Sequence, residues 1–395
     1  MRFATFNVSL YGNHAGDIQK RLRDPDDQQG RCLAEIIQRT RPDVLLLCEF
    51  DYDESGAALQ AFRENYLAQG QDVSGAPDGP AAPIDYPYWF SVPVNTGRPS
   101  GFDLNRDGRI GGPLGSDAYA GDCWGFGKFP GQYGMAVLSR YPFDEDQIRT
   151  FQHFRWRDLP AANVPDDPAT TRPGDWYPAD AMQHFPLSSK SHWDLPIVIG
   201  EQVVHLLASH PTPPTYDGPE DRNGLRNKDE IRFWSEYVEG TAAAKALYDD
   251  AGKRGGLLSG ASFVIAGDLN GDPLDGDGPD GIRILLASPK LQSSPIPASS
   301  GGSEQARLQG GANRRHQGDA ANDTCDPADD PGPGNLRIDY VLPSRGLRIV
   351  RSGVFWPSSD DPLYPLTGVY PFPSSDHRLV WIDVETTTEG PNPKQ

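Results

Sequence analysis

Apolar and polar residues alternate along RFATFNVSL (residues 2–10), the period-two pattern of a strand with one buried face. RCLAEIIQRT (31–40) changes the period: Leu33, Ile36, Ile37 and Thr40 recur at helical spacing, and Pro42 closes the helix. DVLLLCEF (43–50) is a continuous apolar run, which predicts a central strand buried on both faces. YGMAVLSRYP (133–142) predicts another strand, and PIVIGEQVVHLLASH (196–210) a hairpin turning at IGEQ. NGLRNKDEIRFWSEYV (223–238) sets Ile231, Trp234 and Val238 on one helical face. SFVIAGDLNGDP is a short β run ending in acidic and Gly residues, and LRIDYVLPS and HRLVWIDVE predict the closing strands.

The order strand, helix, strand, then strands, a helix and strands again predicts a layered α/β sandwich and not an alternating doubly wound sheet. The chain of 395 residues is read as a single catalytic domain over 1–385. Long insertions rich in Gly, Pro and Asp interrupt it at about 70–130, 152–190 and 292–335, with a flexible tail over 386–395. A formal net charge of −19 argues against a nucleic-acid coat, whose affinity comes from Lys and Arg neutralising phosphates, but not against an enzyme that meets phosphate locally. No apolar run is long enough to span a membrane, and MRFATFNVSL reads as a strand and not as a leader. The four cysteines form no CxxC or Cys/His ligand set; Cys32 and Cys48 read as core thiols, while Cys123 and Cys325, in loops, could pair in an exported protein.

Acidic, amide and His residues fall repeatedly at strand ends: Asn7, Glu49, His210, Asp268 with Asn270, Asp339, and Asp376 with His377. Strand ends let a rigid sheet present side chains to a cleft. Singly, each also reads as a turn or a solvated strand end. The ordered set is harder to dismiss.

TFNVSL, DVLLLCEF, YGMAVLSRYP, ASHPTPP, GDLNGDP, RIDYVLPS and SSDHRLVWIDV, in that order from residue 3 to residue 384, resemble the successive motifs of the endonuclease/exonuclease/phosphatase (deoxyribonuclease I-like) superfamily. The resemblance implies a four-layer sandwich of two face-to-face mixed β-sheets flanked by helices, and a phosphoester hydrolase. It implies that Glu49, with Asn7 and Asp376, holds a divalent metal. An all-oxygen site suits Mg²⁺ or Mn²⁺. Asp268 resembles the residue that orients or deprotonates the attacking water, and Asn270 a partner of that water or of a phosphate oxygen. His377 resembles the His that binds phosphate opposite the metal, and Asp339 the carboxylate that fixes its ring. His210 matches the second family His, which abasic-site endonucleases lack at that point.

Two departures stand out. Cys48 precedes Glu49 where many relatives have Gln, and the strand YGMAVLSR carries no carboxylate to support His210. SSKSHWDLP offers His192 and Asp194 for that support, or is only a surface turn. Arg222 and Arg226 are candidates for substrate phosphate, against the plainer reading of a solvated loop paired with its acidic neighbours. DLNRDGRI sets Asp103, Asn105 and Asp107 at alternate positions before Gly108, which fits the first half of a structural Ca²⁺ loop or a simple Asp/Gly turn; Leu114 stands where the closing acid belongs. DYPYWF and DCWGF could line a groove or pack loops.

The leading expectation is a metal-dependent phosphodiesterase acting on nucleic acid, though not through a basic surface, or on a small organic phosphodiester. The alternatives are a phosphomonoesterase on lipid, inositol or sugar phosphates, and a non-catalytic, Ca²⁺-organised extracellular binding protein on the same scaffold. The chain is expected to act as a monomer. The resemblance to exported relatives implies an extracellular or periplasmic location.

Overall fold

The computed structural model describes residues 1–329 and 331–386; of the expected tail, 387–395 lie outside the described residues. Eleven strands are described: β1 (Arg2–Leu10), β2 (Val44–Phe50), β3 (Tyr88–Phe90), β4 (Met135–Ser139), β5 (Arg149–Thr150), β6 (His192–Ile199), β7 (Gln202–Ser209), β8 (Ser262–Asp268), β9 (Asp339–Pro343), β10 (Leu347–Val354) and β11 (Val380–Thr386). Six form one mixed sheet in the order β10-β11-β1-β2-β4-β3, and five form a second in the order β5-β6-β7-β8-β9.

Strand parity explains how the sheets stack. In β1, Ala4, Phe6, Val8 and Leu10 face the helix Gln28–Thr40 and its buried Leu33, Ile36 and Ile37. Phe3, on the opposite face, enters a core shared with the second sheet. β2 is apolar throughout because both its faces are covered: Leu45 and Leu47 pack on the helix side, Val44, Leu46 and Cys48 between the sheets. The second sheet repeats the arrangement. Val204, Leu206, Ala208, Val264, Ala266 and Val341 point inward to the first sheet. Leu207, Phe263, Ile265, Tyr340 and Leu342 point outward, onto Ile231, Trp234 and Val238 of the helix Arg222–Glu239. Helix, sheet, sheet, helix is the expected four-layer sandwich, with three apolar layers between.

Some elements escape the pattern reading. β10 closes an edge with Arg348, Val350 and Arg351 exposed. The helix Ser300–Gln309 lies within the stretch expected to be an insertion. Cys123 and Cys325 are free buried thiols and not a disulfide. No helix among the described residues is long and apolar enough to cross a membrane.

Candidate active site

The inward parity that builds the inter-sheet core continues into polar residues at one end of the sandwich. Phe3 is followed on the same face by Thr5 and Asn7; Val204, Leu206 and Ala208 lead to His210; Val264 and Ala266 lead to Asp268; Val341 shares its face with Asp339. All these polar residues are buried. β1 runs parallel to β2 and β7 parallel to β8, so their C-terminal ends gather at one edge. β9 and β11 run antiparallel to these neighbours and bring Asp339 and the residues before Val380 to the same edge. Asp268 and Asp339 are direct cross-strand partners.

Glu49 and Asn270 reach the edge by breaking strand geometry. Alternation would send Glu49 to the helix side, but its φ of 55° interrupts the alternation, and Asn270 has φ 51°. Non-Gly residues in this region carry strain of about 1–3 kcal/mol each and persist where the surroundings impose it. Gly267, just before Asp268, is required by packing: a Cβ there would lie 1.9 Å from the carbonyl oxygen of Ser209, the residue before His210.

Hydrogen bonds join the halves across the sheet interface. Asn7 Nδ2 donates to Asp268 Oδ2 at 2.9 Å, and the Asn270 N–H donates to Asp268 Oδ1 at 2.9 Å. His377 Nδ1 lies 2.9 Å from Asp339 Oδ2, which also accepts from Thr324 Oγ1 at 2.8 Å. The other His377 nitrogen, Nε2, stands 3.8 Å from Asp268 Oδ2, and His210 Nε2 stands 3.5 Å from that same oxygen. Asp376 accepts from Ser9 Oγ at 2.9 Å. Neither ring nitrogen of His210 nor Asp339 Oδ1 has a hydrogen-bond partner, although all are buried. Polar atoms left so are costly unless a ligand or water completes them.

The two histidines are held in opposite states. Burial drives His210 well below its ordinary value, and the neighbouring charges of Lys190 and His377 add to this, so His210 is neutral. Burial also works against a charge on His377, but Cys325, Asp339 and Asp268 outweigh it and raise its value well above the ordinary range. Burial pushes the Cys325 thiol itself up to about 12, so near neutrality the two carboxylates do this work. His377 is therefore an imidazolium, with Nδ1–H fixed on Asp339. Burial raises Glu49 to about 7; the His377 charge opposes this, and the charges of Asp376 and Asp268 reinforce it.

Potential metal-ligating groups converge as Asp268, Asp339 and His377, and as Cys325, Asp376 and His377. Glu49 is not within either close group, but it interacts electrostatically with Asp376 and Asp268 and with the Asn7 side chain. The structure thus brings Asn7, Glu49, His210, Asp268, Asn270, Asp339, Asp376 and His377 to one edge.

Other candidates are placed elsewhere. Arg226 is buried, donates to the carbonyls of Leu187 and Pro186 at 2.9 and 3.0 Å, and lies over the Phe185 ring, so it is not a phosphate ligand. Arg222 pairs with Glu220 and donates to the Tyr216 carbonyl, as the plainer reading had it. Asp103 and Asn105 accept backbone N–H groups from Asp107 and Gly108, and Asp107 one from Arg109, the hydrogen bonds of an Asp/Gly turn. His192 bonds Ser188 and the Glu230 carbonyl, and Asp194 bonds His205 and Tyr237, so neither supports His210. Trp124 of DCWGF packs on Phe102 and Phe185.

Two residues without a motif complete the edge. Lys190 is buried, its Nζ 3.4 Å from the Pro211 carbonyl, and close enough to lower His210. Glu230, on the helix Arg222–Glu239, accepts from the Ser189 N–H and Oγ at 2.7 and 3.1 Å and from the Thr212 N–H at 2.6 Å. It ties the segment carrying Lys190 to the one carrying His210. Neither is signalled by spacing, since the partners are distant in sequence.

Residues 4–377 match the Endonuclease/Exonuclease/phosphatase family. Among solved structures, an endonuclease/exonuclease/phosphatase from Beutenbergia cavernae DSM 12333 is similar at 17% identity and a TM-score of 0.48, covering 98% of this chain and 71% of that one. A sphingomyelinase C from Streptomyces griseocarneus is similar at 15% identity and a TM-score of 0.44, covering 97% and 98%. A mannosyl-6-phosphatase from Bacteroides thetaiotaomicron VPI-5482 is similar at 12% identity and a TM-score of 0.45, covering 98% and 99%. No curated protein matches the chain.

Proposed function

This chain belongs to the endonuclease/exonuclease/phosphatase family, and from that premise we propose that it is a divalent-metal-dependent phosphoester hydrolase acting on phosphodiesters. One observation carries the reading. A neutral His210 with both nitrogens unpartnered and a cationic His377 flank the carboxylate of Asp268, each within 4 Å of the same oxygen. Two donors around a base suit the oxygens of a phosphoryl group and the water that attacks it.

The donor set fits a hard cation. Glu49, Asp376 and Asn7 offer only oxygen ligands, and the burial and like charges that hold Glu49 near 7 are what a bound cation would offset. When bound there, Mg²⁺ or Mn²⁺ supplies Lewis acidity at a phosphoryl oxygen and balances charge on the departing one. The chain's own groups do the rest. Asp268, oriented by Asn7 Nδ2 and the Asn270 N–H, takes the proton of the attacking water. His377, fixed by Asp339 and Thr324, directs Nε2–H to a non-bridging oxygen, and His210 donates to a second. Lys190, whose charge acts on His210, adds positive potential.

Hydrolysis of bis-p-nitrophenyl phosphate, compared with p-nitrophenyl phosphate in Mg²⁺, Mn²⁺ or EDTA, tests this. EDTA-sensitive turnover of the diester is expected, and Asp268→Asn or His377→Asn should lower kcat at least ~10²-fold without lowering Tm. Monoester turnover alone would reassign the chain to phosphomonoesters. Turnover of neither, with metal bound, would overturn the proposal.

A further inference from the structure

A groove of about 680 Å³ is bounded by the helix Asp17–Arg21, the segment just after β2 and the loops 93–99 and 129–131. Asp51, two residues beyond Glu49, forms part of it. Ile18, Val94, Phe129, Pro99 and Pro130 make its walls largely apolar, and fixed proline φ angles keep them preformed. The cation among its lining residues is Arg98. The Arg98 guanidinium has no hydrogen-bond, ion-pair or ring partner among the described residues; only its backbone is bonded, to Asn95 and Trp124.

The acids of the groove are unequal. Asp51 is turned to the backbone, accepting from the Gly12 N–H at 2.7 Å and the Tyr133 N–H at 3.1 Å. Asp53 is taken up by the N–H groups of Ala57 and Ala58 at 3.1 and 2.9 Å. Glu54 has no such partner and faces whatever enters. A polyanion threaded through would bring successive charges to Glu54, whereas an arm with one anionic group needs only the unpaired Arg98. A volume of this size holds a drug-sized body and not a two-chain lipid.

We propose that this groove is the subsite for the organic arm of the substrate, and that it selects a compact ring-bearing arm ending in one anionic group, paired with Arg98. This rests on the hydrolase reading and narrows it from phosphodiesters in general to small aryl or heterocyclic diesters.

The test uses three p-nitrophenyl phosphodiesters whose second arm is methyl, phenyl or 4-carboxyphenyl. In the native chain KM for the carboxyphenyl diester should lie about tenfold below that for the phenyl diester, the scale of one charge-assisted contact. Arg98→Gln should erase that difference with kcat unchanged. Gln19→Trp, which narrows the groove, should raise KM for both aryl diesters but not for the methyl one. Equal KM values in the native chain, or a difference that survives Arg98→Gln, would overturn the proposal. If no diester is turned over, the phosphodiesterase reading has failed, and the groove is judged by binding of 3-phenylpropionate in a calorimetric titration. Saturable binding lost in Arg98→Gln sustains it, and no binding removes it.

Discussion

At Glu49 both the backbone and the charge are held in unfavourable states, with φ at 55° and the carboxyl raised to about 7 from its ordinary 4.5. A group whose folded value lies above its unfolded one binds its proton more tightly when folded, so ionising it destabilises the fold. Without metal, this contribution to stability is present below pH 4.5, declines as pH rises, and is gone above about 7. Metal-free Glu49→Gln should therefore melt a few degrees above the native chain at pH 8 and level with it at pH 4. Adding Mg²⁺ should raise the native Tm and leave that of Glu49→Gln unmoved. An equal Mg²⁺ response in both proteins would remove Glu49 from the metal set.

The helix Arg222–Glu239 contributes to the site through Glu230, whose carboxylate accepts three hydrogen bonds from the segments that carry Lys190 and His210. Glu230→Ala leaves buried N–H groups unsatisfied, at about 1–3 kcal/mol each. Its Tm should fall, and kcat measured well below that Tm should fall by about 10- to 100-fold because His210 loses its alignment. A lowered Tm with full kcat in the cold would make Glu230 purely a stabilising residue. Such cross-element contacts explain what pattern reading missed. β1 was legible from its alternation and β2, β7 and β8 from the apolar runs that two-sided burial imposes, and strand parity even predicts that Asn7, His210 and Asp268 face the same layer. Lys190, Glu230 and Thr324 carry no period or motif, because each acts through a partner on another element. The helix Ser300–Gln309 was illegible for a related reason: Gly301 and Gly302 sit where a Cβ would strike the carbonyls of Trp356 and Ala320, so packing overrides poor helix propensity. The Arg222 and Arg226 candidates show the converse. Their charge was visible in the sequence, but that Arg226 is buried against Phe185 was not.

For the molecule as a whole, a formal charge of −19 acts on any polyanionic substrate before the site does. A basic nuclease loses affinity for duplex DNA as salt rises. Here the long-range term is repulsive, so raising salt from about 10 to about 150 mM should lower KM for an oligonucleotide and leave bis-p-nitrophenyl phosphate unchanged. A KM that rises with salt for the oligonucleotide would point to a basic surface in function despite the net charge. The pairing of β1 with β11 has a consequence of a different kind. Asn7 stands in the first strand, while Asp376 and His377 immediately precede the last, and hydrogen bonds from both ends meet on Asp268 and Asp339 in between. On the proposed reading, a nascent chain that stops short of Asp376 holds most of the site residues and no completed site. Activity should then begin only after β11 has left the exit tunnel and docked beside β1, and products terminated before Asp376 should be inert.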